Sequence, residues 1–104
     1  MSYEMPKCKI TVLKRMLNQD LADEYLDDTG EFELCGKFRE GQEIIVEHPF
    51  VMPEGFCHGA WADIRGHIVT VAAGANPPWI KQRGTIIVGC TDWVKPVIFK
   101  VERI

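Results

Sequence analysis

The last stretch of the chain most narrows its fold. Val97, Phe99 and Val101 alternate with Ile98, Lys100 and Glu102, the period-two pattern of a strand with one buried face. Upstream, residues 85–88 form the run Thr-Ile-Ile-Val, whose β-branched side chains suit a central strand. A polar turn at residues 91–95 joins the two into a β-hairpin, with a loop longer than the two-residue minimum. A hairpin alone is marginal in water, so the rest of the chain must cover its apolar face.

The remaining elements follow from the same periodicity. Residues 7–13 alternate, with Cys8, Ile10 and Val12 on the core side and Lys7, Lys9 and Thr11 in solvent. Residues 18–26 read as a short helix capped by Asn18 or Asp20, with Leu17, Leu21 and Tyr25 as its apolar stripe. The acidic turn at residues 27–30 ends it, since aspartates are unfavourable at a helix C-terminus. Residues 32–38 read as a short strand or bulge interrupted by Gly36. Ile44-Ile45-Val46 is a short strand bracketed by charges. Pro49 and Pro53 rule out a central strand in the connection that follows.

Residues 57–71 predict a helix, with Cys57, Ala60, Trp61, Ile64, Ile68 and Val71 along one face. The β-branched run at residues 68–71 makes its C-terminal limit open to a strand instead. The order β-α-β-β-α-β-β implies an α+β domain over residues 1–104, after a loose lead-in at residues 1–6. Its sheet is mainly antiparallel, with two helices on one face. A ferredoxin-like arrangement with an extra edge strand is the first expectation, a looser α+β sheet the second.

Length and charge bound the function. A single domain of 104 residues can bury a core without a disulfide or a metal. The formal net charge of −3 argues against nucleic acid as a partner, because that binding rests on a basic surface. No apolar run reaches the roughly 20 residues of a membrane span, and residues 1–6 lack the pattern of a signal peptide. The expected compartment is the cytoplasm, where thiols stay reduced.

The four cysteines, Cys8, Cys35, Cys57 and Cys90, therefore read as core residues, metal ligands or reactive thiols. None forms a Cys-x-x-Cys pair. Converging in space, the four would suit zinc or iron; zinc needs four thiolates, or three and an imidazole from His48, His58 or His67. Against that, Cys8 and Cys35 are also read as small buried hydrophobes. Cys57 opens the second helix, where free N–H groups favour a thiolate, and is the candidate catalytic thiol. Adjacency does not pair it with His58, and no base and orienting group can be assembled around it.

Cys90 ends a strand; Asp92 after it reads chiefly as a turn residue. Trp61 belongs to the core face. Trp79 and Trp93 fall in loops and border either a pocket or a homo-oligomer contact. Asp63 and Arg65 read as a solvated face. Phosphate-loop, nucleophile-elbow and zinc-protease motifs are absent.

Several segments together resemble a known family: residues 7–12 (Lys-Cys-Lys-Ile-Thr-Val), residues 53–57 (Pro-Glu-Gly-Phe-Cys) with Ala60-Trp61-Ala62-Asp63, and Cys90 leading to residues 96–103. It is a small family of single-domain proteins of about this length, found mainly in anaerobic bacteria and archaea and without an assigned activity. The matching positions are Cys8, Cys35, Cys57, Trp61 and Cys90. The family often carries Pro-Trp after the helix cysteine, where this chain has His58-Gly59. It often carries Pro-Asp-Gly after the last cysteine, where this chain has Thr91-Asp92-Trp93. The combined expectation is a cysteine-centred binding site for a small molecule or a metal. The alternatives are a small enzyme acting through Cys57 in anaerobic metabolism, or a non-catalytic oligomeric subunit.

Overall fold

The computed structural model describes residues 5–27 and 33–104; most of the expected lead-in at residues 1–6 and most of the acidic turn at residues 27–30 lie outside them. The described elements are β1 (Cys8–Arg15), α1 (Gln19–Tyr25), β2 (Glu43–Val46), α2 (His58–Ala72), β3 (Thr85–Gly89) and β4 (Val97–Arg103). The strands form one antiparallel sheet in the order β2-β1-β4-β3. The chain is thus α+β with an antiparallel sheet, and β3–β4 is the expected hairpin.

The inward set follows the alternation. Ile10, Val12, Val97, Phe99 and Val101 are fully buried against Ile64, Ile68 and Val71 of α2. Burying each such side chain is worth about 1.5–3 kcal/mol. The β-branched residues at 68–71 are helical: Ile68 and Val71 fall on the buried face, and that packing outweighs their modest preference for strand. At the N-terminal end of α2 the core turns aromatic. Phe38 meets Phe56 and Phe99 edge-on at 5.2 and 5.1 Å, and Trp61 stands 6.1 Å from Phe56.

Four expectations change. The ferredoxin-like arrangement is not formed: its helices cross over between parallel strands, whereas β1 and β2 are antiparallel neighbours. Among the described residues the extra edge strand is not formed either: residues 33–38 are irregular, with a turn at residues 36–37. Helix α1 supplies no crossover layer. Of its expected stripe, Leu21 is 40% and Tyr25 77% exposed, and Ala22 alone is buried. The Asn18 side chain makes no cap hydrogen bond to the helix; its amide donates to the Trp93 carbonyl at 2.6 Å, tying α1 to the β3–β4 turn.

A bulge in β1 matters for the site. Between Val12 and Lys14 the pairing with β4 shifts by one residue, which leaves Leu13 as the extra one. The shift reverses the alternation beyond it. Arg15, which an unbroken strand would aim at the open face with Lys9 and Thr11, instead pairs with the inward-facing Val97.

Candidate functional site

A cleft of about 440 Å³ opens at the N-terminal end of α2, and Cys35, Cys57 and Cys90 all line it. That volume suits a small ligand. Each cysteine reaches the cleft by a different route.

Cys57 is the N-cap residue of α2, with extended backbone angles (φ −70°, ψ 121°) and no side-chain bond into the helix. Its carbonyl accepts the first helical bond, from the Trp61 amide at 2.9 Å. The thiol is therefore not spent on capping. Gly59 and Ala62 keep this part of the wall low.

Cys90 follows β3 directly. Its amide donates to the Val97 carbonyl at 3.1 Å, and its Sγ accepts the Val97 amide at 3.3 Å. The last rung of the β3–β4 ladder thus runs partly through sulfur. Asp92 Oδ1 accepts the amides of Val94 and Lys95 at 3.0 and 2.8 Å, the turn role expected of it.

Cys35 is held from β1. Arg15 Nη1 donates to its carbonyl at 3.0 Å. Arg15 Nε also donates to Glu40 Oε1 at 3.0 Å, and the Arg15 amide to Glu40 Oε2 at 3.2 Å. Glu40's own backbone amide and, after it, Arg15 hold that carboxyl below the usual carboxylate range. The bulge that redirects Arg15 thereby fixes the Cys35 wall.

Asp63 is not a solvated bystander. Its carboxylate accepts the Thr91 amide at 2.7 Å and the Thr91 hydroxyl at 3.0 and 3.1 Å. It clasps the post-β3 turn to α2 across the cleft. The sequence held one weak signal for this: Asp63 borders the buried Ala60–Ile64 stripe rather than sitting opposite it. Lys95 lines the cleft as well, and among the described residues it has no ion-pair partner.

Cys8 does not join the others. It is 1% exposed in the core, with its thiol 3.9 Å from the Ile68 carbonyl. Burial pushes that thiol's pKa up, and the Arg103 guanidinium offsets only part of the effect. Ile68 lies eleven residues beyond Cys57, roughly 16 Å along the helix axis at 1.5 Å per residue. Sulfurs sharing one zinc stand only about 4 Å apart. The four-cysteine metal set is therefore not formed, because strand alternation commits Cys8 to the core. Among the described residues no group of three His, Cys, Asp or Glu side chains could hold a metal ion.

His58 and His67 are exposed, and His48 Nδ1 accepts the Phe50 amide at 3.2 Å. Among the described residues none is hydrogen-bonded to Cys57. No helix among them is long and apolar enough to cross a membrane. In comparisons with family models, curated proteins and solved structures, nothing matches the chain.

Proposed function

We propose that the chain is a small ligand-binding protein whose thiol-lined cleft takes a small organic molecule, with Cys57 as the thiol that meets it. One observation carries this reading: three cysteines far apart in sequence line one cleft, while the fourth is a plain core residue. Burial is the ordinary fate of a cysteine without a role, and these three avoid it. Phe38 and Val97 give the cleft an apolar wall, and Lys95 gives it a cation for an acidic group on the ligand. The reading assumes a reducing, cytosolic setting in which the thiols stay free. The resemblance to the anaerobe family is part of the same proposal.

Zinc or iron stands second, since the donors would have to move to bind it. Catalysis through Cys57 stands behind that: Asp63 lines the same cleft, but Thr91 engages its carboxylate, and among the described residues nothing is hydrogen-bonded to the Cys57 thiol.

Disulfide exchange with a panel of small disulfides, followed by intact and peptide mass spectrometry, tests the proposal. Selected compounds should be captured at Cys57 far above the panel average, and capture there should block Cys90. Cys8 should react only after unfolding. Indiscriminate capture at all three cleft thiols would sink the binding reading. One bound equivalent of zinc or iron in anaerobically purified protein would replace it with the metal one.

A further inference from the structure

We propose that the chain forms a two-fold dimer in which the outer edge of β3 pairs antiparallel with β3 of a second copy, giving one continuous eight-stranded sheet. The β3–β4 ladder decides which backbone groups of β3 face outward. Arg103 donates its amide to the Gly84 carbonyl and Cys90 to the Val97 carbonyl. With the register Ile86↔Val101 and Val88↔Phe99, Ile86 and Val88 turn their backbone groups toward β4. Thr85, Ile87 and Gly89 therefore turn theirs outward. Among the described residues nothing bonds to that edge.

The two edges of the sheet are finished differently. Edge strands that must stay free are usually short, charged or interrupted by proline. Strand β2 fits that description: it has four residues, opens on Glu43, and is followed by Glu47 and Pro49. Strand β3 is Thr-Ile-Ile-Val-Gly, with no charge along it; its Ile87 is 45% exposed, much as Ile45 of β2 is at 41%.

The second copy is the occupant because β3 is complementary to itself. A two-fold axis at Ile87 sets Ile87 against Ile87 and Thr85 against Gly89, so every outward N–H meets an outward carbonyl. Gly89 brings no side chain to crowd Thr85. The flanks are complementary in part: Lys81 and Arg83 before β3 come alongside Asp92 after β3 of the second copy, once at each end, with Lys95 as the like charge there.

The flanks also match in apolar surface. Trp79 precedes β3 and is 75% exposed; Trp93 follows it and is 70% exposed. Antiparallel pairing brings the Trp79 end of one copy to the Trp93 end of the other. Tryptophans bury up to about 250 Å² each, so this pair supplies close to half of the roughly 800 Å² per partner of a standard interface. The edge strand and its flanks supply the rest.

The test is sedimentation equilibrium of the full chain, joined to amide hydrogen exchange. The expected mass is twice 11.8 kDa. The Ile87 and Gly89 amides should be protected in the dimer. Ile87→Lys should give a monomer in which those two amides exchange freely while Ile86 and Val88, bonded to β4, stay protected. Should Ile87→Lys unfold, Trp79→Ser with Trp93→Ser, both in exposed loops, must weaken association at least tenfold. A monomer at high-micromolar concentration overturns the proposal. So does a dimer whose Ile87 and Gly89 amides exchange freely, since that dimer would use another surface.

Discussion

Replacing Arg103 by methionine removes a guanidinium from the C-terminal end of α2 while keeping its aliphatic stem. The last turn of α2 has no basic residue of its own. Arg103, reaching over from β4, supplies one: Nη1 donates to the Val71 carbonyl at 2.7 Å and to the Ala75 carbonyl at 3.2 Å, and Nη2 to Asn76 Oδ1 at 2.9 Å. A hydrogen bond to a charged group is worth about 1.5–3 kcal/mol, and a cation at a helix C-terminus about 0.3–1 kcal/mol. The site is only part-buried, so water recovers much of what is lost. Counting the short Val71 bond at the low end, with the dipole, gives a destabilisation of about 2 kcal/mol. Urea unfolding should show this as a lower midpoint at unchanged slope. Gly84 provides a cross-check. Its φ is +66°, and a Cβ there would sit 3.0 Å from Arg103 Nη2. Gly84→Ala should therefore destabilise too, and less so when Arg103 is already methionine. A loss below about 0.5 kcal/mol for Arg103→Met, within the range of an ordinary surface change, would refute the capping role.

Other consequences are as direct. Among the described residues Thr11 Oγ1 is buried without a partner, so Thr11→Val should stabilise by about 1 kcal/mol in thermal unfolding, the cost of an orphaned hydroxyl. Asp63→Ala should speed exchange of the Thr91 amide and alkylation of Cys90 at a stability cost of about 1 kcal/mol, while Asp63→Asn, which keeps an acceptor, should do less. The folded-state pKa of Cys8 lies above its ordinary 9.0. Its contribution is therefore whole below pH 9.0 and falls as pH rises toward the folded value; Cys8→Ala should lose less stability than the wild type between neutral and strongly alkaline pH.

What the sequence made legible is what periodicity encodes. The alternation in β1 and β4 and the apolar stripe of α2 place the core because each reads out a local geometry. Helix α1 misled for a related reason. Leu17, Leu21 and Tyr25 have the right spacing, but a two-turn helix held at the rim by Asn18 has no core to face. The site was legible only in part. Cys57 at a helix start and Cys90 at a strand end follow from element boundaries. That Cys35 joins them, and that Asp63 reaches Thr91, depends on how distant segments meet, and no spacing in the chain records it.

The bulge shows how much of the cleft hangs on one such detail. Were Leu13 paired in regular register instead of bulged out, strict alternation would place Arg15 on the open face beside Thr11. The guanidinium would then lose Cys35 and Glu40 together. The turn at residues 35–38 forms no strand of its own, so Arg15 is its chief polar anchor to the sheet, alongside the packing of Phe38 on Phe56 and Phe99. One irregularity in β1 therefore converts a surface arginine into the support of a cleft wall. A bulge costs a strand some of its regular pairing. Its place here, at the end of β1 nearest the thiols, fits a strand shaped for the cleft rather than for the sheet alone.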